Sequence, residues 1–295
     1  MSKKRIMITA VILMLISLMT ASADTERNPL LDTAFSMLEE GNVFIDRYNE
    51  LTQANVKAVY EPGMPYMFGG KRADEILKGM PVFNKRKCLE NTHFYREGQL
   101  YIYGFDCSGY TAWVMESNGY VHPTSLADVA TKYHRYRNNY VYTTNSHCTH
   151  LQPDWSEVAA TLEIGDLYVI KHGGRHVLMY IGTLADYGFT AEELPELANY
   201  LHYPLVIHCG PNPEYSVRFE KFIAENEEQY GRCAVTDGGV NVSILGVPRE
   251  AAPFHEHVQT HDYDYFILGE TGQMLTVYRT DDYSSYSWFR CDKEQ

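Results

Sequence analysis

Cys107 occupies a position at which a thiol can act as a nucleophile. The segment Gly104–Tyr110 places this cysteine in the first turn of a predicted helix, where unpaired amide hydrogens and the helix dipole favour a thiolate. Ser108 and Gly109 are small enough to let a substrate backbone approach, and the amide of Cys107 can face the oxygen of a tetrahedral intermediate. The alternative is a structural cysteine, buried or in a disulfide. We predict that Cys107 is the most reactive thiol of the chain.

A cysteine nucleophile needs a base, and the sequence offers a histidine on a strand. His176 begins a predicted strand, and a rigidly held imidazole is what a cysteine–histidine pair requires. His208 lies on the next predicted strand and can orient that ring. His172 is a rival base, but its place in a turn ahead of two glycines makes it mobile. We therefore predict Cys107 as nucleophile, His176 as general base and His208 as its orienting partner.

Four sequence blocks extend this pattern in a fixed order. They are Tyr66–Gly70, with the pattern Tyr-x-x-Gly-Gly; Phe105–Gly109, with Asp-Cys-Ser-Gly; Gly165–Leu167 followed by His176–Gly182; and Ile207-His208. The ordered set resembles the entry, nucleophile, base and third catalytic motifs of the NlpC-type cell-wall peptidases, a bacterial family of papain-like cysteine peptidases. The resemblance covers roughly residues 58–245.

The resemblance implies a papain-like α+β fold, thiol protease activity without a cofactor or metal, and roles for three more residues. Tyr66 would lie beside the thiol, while Asp106 and Ser108 would help to hold the amino end of the substrate. For Asp106 a plain helix cap is an equally good explanation. The family's proline-arginine element is replaced here by Val121–Ser125. The sequence has insertions at residues 71–103 and 183–204. Their roles, and the exact peptide that the protein prefers, are not determined by the resemblance.

The implied substrate is a peptide of peptidoglycan, cut between D-glutamate and the following diamino acid. A cleft that holds a free amino end through Asp106 and Ser108 would place the second peptide link over Cys107. An N-acetylmuramoyl-L-alanine amidase, or another amide hydrolase, is the alternative among enzymes, because cysteine–histidine chemistry does not choose its amide. A catalytically inactive module that binds wall peptides or a partner protein is the alternative from another class.

Two histidine-rich stretches have spacings that could suit zinc. Neither has a matching ligand pair at zinc-finger spacing, and both stretches appear in loop-like sequence. We therefore expect no metal site and no cofactor. The stretches contain His147, Cys148 and His150, and His255, His257 and His261.

The predicted elements place helices before a sheet. Apolar spacing over Asn28–Ala58 predicts two helices broken near Gly41, and Asp106–Gly119 predicts the helix of Cys107. A capping box of Thr190 and Glu193 predicts a helix over Leu194–Leu201. Helices before a mostly antiparallel sheet of about five or six strands make an α+β fold. The other predicted elements are a helix at Val217–Tyr230, strands at Leu167–Lys171, Val177–Ile181, Leu205–Cys209 and Val240–Leu245, and a hairpin of Tyr265–Leu268 with Met274–Tyr278.

The first residues have the three zones of a secretory signal peptide. Lys3-Lys4-Arg5 is followed by the apolar run Ile6–Met19 and the small residues Ala21–Ala23. We expect cleavage after Ala23, which leaves residues 24–295 as a single domain with a core at about 58–245 and with the N-terminal helices and C-terminal hairpin as extensions. The run is shorter than the roughly 20 residues that span a bilayer. The sequence thus predicts export to the periplasm or the medium.

Charge and cysteine content limit the partners and the crosslinks. The formal net charge is −13, and about −16 without the leader, which disfavours nucleic acid and anionic membrane surfaces but leaves peptides open. The oligomeric state is undetermined. With Cys107 free, at most about two disulfides can form and their pairing is open. The other cysteines are Cys88, Cys148, Cys209, Cys233 and Cys291.

Overall fold

Thirteen stretches of the chain are described by the computed structural model. They are residues 26–67, 69–71, 82–84, 100–122, 148–151, 153–170, 176–211, 220–230, 233–234, 238–247, 263–268, 273–278 and 286–294. The predicted signal peptide lies outside these residues, as do His147, His172 and the histidines at 255, 257 and 261. No helix in the described stretches is both long and apolar enough to span a bilayer.

Helices come first in the chain and strands dominate afterwards. Asn28 and Asn42 cap the first two helices by accepting hydrogen bonds from the amides of Leu30 and Phe44, both at 3.0 Å, which satisfies amide groups that have no partner inside the helix. The α-helices are α1 Pro29–Phe35, α2 Val43–Thr52, α3 Cys107–Glu116, α4 Val158–Thr161 and α5 Glu227–Tyr230, with residues 220–225 also helical. Short 3₁₀ helices span Trp155–Glu157, Ala185–Tyr187 and Pro195–Tyr200.

The described strands form one large and one small sheet. The large sheet has the order β3-β11-β4-β5-β6-β8-β10-β9, and the small one has the order β1-β2-β7. The large sheet is antiparallel except where β10 pairs with β8. Its strands are β3 Cys148–Leu151, β4 Leu167–Ile170, β5 His176–Thr183, β6 Pro204–Pro211, β8 Gly238–Leu245, β9 Tyr263–Leu268, β10 Gln273–Tyr278 and β11 Tyr286–Cys291; the small sheet has β1 Val82–Asn84, β2 Leu100–Ile102 and β7 Cys233–Ala234.

Both faces of the central strands are buried. Along β5, Val177 and Met179 belong to the main hydrophobic core with the N-terminal helices, whereas Leu178 and Tyr180 belong to a second core with Trp288 of β11. This alternation follows from the two-residue period of a strand. Helix α3 is fixed between α1 and the sheet, and the buried hydroxyl of Tyr110 donates to the carbonyl of Ala34 at 2.9 Å. Packing against α1 and the sheet therefore holds the start of α3, which carries the thiol, in a fixed position.

The α+β class with a mostly antiparallel sheet is confirmed. The two N-terminal helices, the helix of Cys107 and all six predicted strands are present, and β9 and β10 form the predicted antiparallel pair. The large sheet has eight described strands, two more than the six predicted, because the sequence patterns did not reveal β3 and β11. Both are short, and the loop-like reading of Cys148 and His150 was wrong because β3 pairs with β11 along its length.

Two helices predicted from the sequence differ from the structure. The capping box of Thr190 and Glu193 is formed, but Leu194–Leu201 is not α-helical and Pro195–Tyr200 is a 3₁₀ helix. In an α-helix capped by Thr190, Pro195 would lie beyond the first turn, where it cannot donate the backbone hydrogen bond that the helix requires. The described part of the predicted helix Val217–Tyr230 is interrupted by a turn at Asn226.

Arg290 of β11 holds the turn that leads into β4. Its guanidinium donates to both carboxylate oxygens of Asp166, at 2.9 and 2.7 Å, and to the carboxylate of Glu163 at 2.5 Å. Asp166 is 2% exposed, so this paired geometry compensates for the loss of water around a buried carboxylate. The strand that was missed in the sequence thus supports the turn of the Gly165-Asp166-Leu167 motif.

Two cysteines whose pairing was open lie directly opposite each other. Cys148 of β3 and Cys291 of β11 are in register, and a hydrogen bond between their thiols lowers the pKa of Cys148 and raises that of Cys291. We expect air-oxidised protein to contain a Cys148–Cys291 disulfide that stabilises it by roughly 2–5 kcal/mol, because the crosslink closes a long loop in the unfolded chain. Peptide mapping without reductant, together with urea unfolding with and without reductant, measures both.

The Cys148→Ser variant is the control for this disulfide. Its free energy of unfolding should not respond to reductant. A bridge from Cys148 to a cysteine other than Cys291, or equal stability of the oxidised and reduced wild-type protein, would contradict the expectation.

Candidate active site

The start of helix α3 is organised by the carboxylate of Asp106. This residue has extended backbone angles and accepts a hydrogen bond from the amide of Gly109 at 2.7 Å, which is the geometry of a helix cap. The same carboxylate accepts from the hydroxyl of Ser108 at 3.1 Å. Cys107 is the first residue of the helix and keeps partial exposure. The structure thus places Asp106 at the helix cap and Cys107 in the first turn, as the sequence predicts.

The thiol of Cys107 lies against the strand that begins with the predicted base. The backbone N–H groups of Val177 and Ser108 donate to its sulfur and act to lower its pKa. Burial, followed by the negative charge of Asp106, acts in the opposite direction and prevails, so the pKa of Cys107 is raised to about 11. The thiolate-favouring effect expected from the helix start is therefore outweighed, because removing the sulfur from water disfavours its charged form.

His176, His208 and a serine form a hydrogen-bonded chain across neighbouring strands. Nε2 of His176 is 3.0 Å from Nδ1 of His208, and Nε2 of His208 is 2.7 Å from Oγ of Ser243 on β8. Burial lowers the pKa of His176 to about 4 and that of His208 well below its ordinary value. Both rings are therefore neutral at pH 7. When His176 donates from Nε2 to His208, its Nδ1 becomes the nitrogen that can take a proton.

Gly210 provides the room for these two rings. A β-carbon at this position of β6 would lie 2.9 Å from Cε1 of His176 and 3.0 Å from Nδ1 of His208. Contacts this short are repulsive, so any side chain here would push the rings apart. The glycine of the Ile207–Gly210 segment is thus part of what keeps His176 and His208 in contact.

Tyr66 and Cys209 lie beside the nucleophile segment. Tyr66 forms a parallel bridge with Phe105, and the neighbouring amide of Met67 donates to the carbonyl of Phe105 at 2.8 Å. Cys209 is fully buried, and its thiol donates to the same carbonyl at 3.2 Å. Burial raises the pKa of Cys209 well above its ordinary value, so this second nearby thiol is not a competing nucleophile.

Sequence reasoning missed a lysine at this site. Nζ of Lys71 donates to Oδ1 of Asp106 at 2.7 Å and to Oγ of Ser108. Its positive charge acts to lower the pKa of Cys107. The position directly after Gly69-Gly70 was visible in the sequence, but nothing in the spacing of the motifs relates it to Asp106.

His122 is the second residue that the motifs did not reveal. It is 5% exposed, and its Nε2 lies 3.1 Å from the hydroxyl of Thr111, which also donates to the carbonyl of Cys107. Burial lowers the pKa of His122 to about 4, and the charge of Lys71 acts in the same direction. His122 belongs to the segment that replaces the family's proline-arginine element, and its ring contacts Thr111 of the helix that begins at Cys107.

No group of three or more metal-binding side chains occurs within the described stretches. Of the first histidine-rich stretch, Cys148 and His150 are described, and the ring of His150 packs against Phe289 at a centroid distance of 5.1 Å. His150 and Phe289 are partners on the paired strands β3 and β11, so this ring contact is one between neighbouring strands of the sheet.

The arrangement can carry out nucleophilic catalysis at a carbonyl group. A neutral thiol faces the strand that starts with a neutral imidazole, and the imidazole is oriented by a second histidine and a buried serine. Such a pair activates the sulfur by taking its proton as the sulfur attacks, and a resting ion pair is not required.

Comparison with known proteins supports this chemistry over the central part of the chain. Residues 63–187 match the model of the NlpC/P60 family. The matched segment contains Tyr66, Cys107 and His176, while His208 and Ser243 lie beyond its end. No curated protein and no solved structure matches the chain.

Proposed function

Since residues 63–187 belong to the NlpC/P60 family of cell-wall hydrolases, we propose that this chain is an exported cysteine peptidase that hydrolyses amide bonds in peptidoglycan stem peptides. Cys107 is the nucleophile, His176 the general base and His208 its orienting partner. The observation that carries the proposal is the hydrogen-bonded chain from His176 through His208 to Ser243. His176 is followed directly by Val177, whose backbone N–H contacts the thiol of Cys107.

The reaction follows from the neutral pair. As the sulfur of Cys107 attacks the carbonyl carbon, its proton moves to Nδ1 of His176. The imidazolium then gives this proton to the leaving amine when the carbon–nitrogen bond breaks, which leaves an acyl-enzyme thioester. Water attacks the thioester with His176 again as base, and the thiol and the carboxylate product are regenerated. The bond from Nε2 to His208 keeps the ring orientation fixed while its charge changes.

The bond that we propose is the one between D-glutamate and the following diamino acid. The match of residues 63–187 to the NlpC/P60 family and the resemblance of the sequence motifs support this choice. Export is supported by the apolar run Ile6–Met19 between basic and small residues. The substrate is then met outside the cytoplasm, where peptidoglycan lies.

Digestion of purified muropeptides identifies the bond. We expect mass spectrometry to show cleavage after D-glutamate, with the dipeptide L-alanyl-D-glutamate either free or still linked to sugar. Wild-type protein inactivated with iodoacetamide is the control and should give no products. Release of intact stem peptides from bare sugar would identify an amidase instead. A reactive Cys107 without any product would exclude both wall reactions, and absence of both reactivity and products would indicate an inactive binding module.

A further inference from the structure

The ammonium group of Lys71 occupies the place proposed for the amino end of the substrate. It donates to the carboxylate of Asp106 at 2.7 Å and to the hydroxyl oxygen of Ser108. These are the two residues that the family resemblance assigns to binding a free amino group. A protein ammonium and a substrate ammonium cannot occupy the same pair of acceptors.

The backbone immediately before Lys71 is held against the start of helix α3. A β-carbon on Gly109 would overlap the carbonyl oxygen of Gly70 and come within 3.1 Å of Cα of Lys71, so only glycine lets this segment cross the first turn of α3. The amide of Asp106 donates to the carbonyl of Gly70 at 2.9 Å, and the amide of Gly69 donates to Oδ2 of Asp106 at 3.1 Å. One bond from the main chain of Asp106 and one to its carboxylate therefore hold the two glycines that precede Lys71.

The carboxylate of Asp106 has little acceptor capacity left for a second ammonium. Oδ1 accepts from the amide of Gly109, from Lys71 and from the hydroxyl of Ser108, at 2.7, 2.7 and 3.1 Å. Oδ2 accepts from Gly69. Asp106 as a whole is 7% exposed, and the charge of its carboxylate is already balanced by Lys71. A free amino end would have to displace Lys71 or place a second positive charge beside it, and both are unfavourable.

Lys71 itself offers a donor to the substrate. Its side chain is 51% exposed, and an ammonium has three N–H groups. Among the described residues, two of these are used by Asp106 and Ser108. The third can donate to a carbonyl or carboxylate oxygen that enters the cleft next to Cys107, and such a charge-assisted bond favours an acceptor over a donor at this point.

We propose that Lys71 makes this enzyme select substrates whose amino end is acylated, so that stem peptides still attached to their sugar are cut in preference to free peptides. This inference rests on the proposed function, and it selects between the two products named there. The acyl carbonyl accepts from Lys71, whereas a free amino end is repelled by it. The product retained on the wall is then a sugar-linked dipeptide.

The test compares two forms of one peptide, which differ only at the amino terminus. The tripeptide L-alanyl-γ-D-glutamyl-diamino acid is prepared with a free and with an acetylated amino terminus, and kcat/KM is measured for each. We expect wild-type protein to prefer the acetylated peptide by about tenfold to a hundredfold, the size of one hydrogen bond to a charged group. Lys71→Met should reduce this ratio at least about tenfold or reverse it, because Asp106 becomes available to an ammonium. Lys71→Arg, which keeps the charge, should preserve the preference.

The ratio separates recognition from the effect of Lys71 on the thiol. Loss of the lysine charge also raises the pKa of Cys107, but this slows both peptides equally and cancels in the ratio. A wild-type preference for the free amino end, or a ratio that Lys71→Met leaves unchanged, would overturn the inference.

A binding measurement keeps the inference testable if the proposed reaction fails. Calorimetric titration of wild-type protein with free and N-acetylated L-alanyl-γ-D-glutamate, neither of which contains the bond to be cut, should show the same preference. Preferential binding of the acetylated dipeptide without any cleavage would reject the proposed reaction and retain the role of Lys71. Equal binding, or binding of neither dipeptide, would reject the role of Lys71.

Discussion

Replacing Cys107 with serine should abolish amide hydrolysis, with a loss on the order of 10⁴-fold or more in kcat. Serine keeps the shape of the side chain and its contacts with the amides of Val177 and Ser108. An alcohol is a much weaker nucleophile than a thiol, and His176, with a pKa of about 4, is a weak base towards it. Product formation from muropeptides measures the loss, and circular dichroism checks that the variant is folded.

Two other cysteines provide controls for Cys107. Cys148→Ser should retain wild-type activity because Cys148 lies on β3 at the edge of the large sheet, whereas the thiol of Cys107 lies against β5. In oxidised protein, iodoacetamide should label Cys107 before Cys209, which is fully buried, and activity should fall in step with this label. Labelling of Cys209 first, or full activity of Cys107→Ser, would remove Cys107 from the mechanism.

The ionisation state of the pair gives Cys107 a spectroscopic signature. Because the pKa of the thiol is raised to about 11 and that of His176 is lowered to about 4, both groups are neutral between these values. The wild-type protein should then show no more thiolate absorbance near 240 nm at pH 7 than Cys107→Ser, while kcat/KM should rise as pH increases through about 4 and stay level through neutrality. An excess of thiolate absorbance at pH 7 would indicate a resting ion pair.

Replacing His176 with alanine should reduce kcat on the order of 10³-fold or more, and His208→Ala should reduce it by only about tenfold to a hundredfold. In the proposed mechanism His176 takes the proton of Cys107, so its loss removes the base itself. His208 contributes one hydrogen bond, at 3.0 Å, to a ring that becomes charged during the reaction. Steady-state kinetics of the two variants on the same peptide substrate measures the order.

A conservative variant separates orientation from packing at His208. His208→Asn keeps an acceptor near the position of Nδ1 and should retain more activity than His208→Ala, although both leave space in a buried site. Ser243→Ala, which removes the partner 2.7 Å from Nε2 of His208, should lose less activity than either. Lower activity for His208→Ala than for His176→Ala would reverse the two roles.

The opposite effects of Asp106 and Lys71 connect the helix cap with the chemistry. Asp106 stabilises the start of α3 but raises the pKa of the adjacent thiol, while Lys71 pairs with the carboxylate and acts to lower that pKa. The ion pair therefore limits the electrostatic cost of having a carboxylate cap next to a nucleophile. The same pair places a positive charge where, in the proposed binding mode, an incoming peptide begins.

The sequence by itself determined the positions of the chemical groups along the chain. Helix signals with a period of three to four residues, a capping Asp106 and short β-rich runs are local patterns, and the forces behind them act between residues close in sequence. They located helix α3 with Cys107 at its start and strands β5 and β6 with the two histidines. The α+β class followed from the order of these elements.

The pairing of distant segments was decided only by the tertiary structure. Strands β3 and β11 are short and gain stability from each other and from β4, so local propensity did not reveal them. Ser243 reaches His208 through the register of β8 with β6, and Lys71 reaches Asp106 because two glycine-containing segments cross. The high pKa of Cys107 has the same origin, because desolvation depends on what surrounds the sulfur in three dimensions. Sequence motifs indicate which groups are candidates for the reaction, whereas the charge states and selectivity of these groups depend on neighbours that only the folded chain brings together.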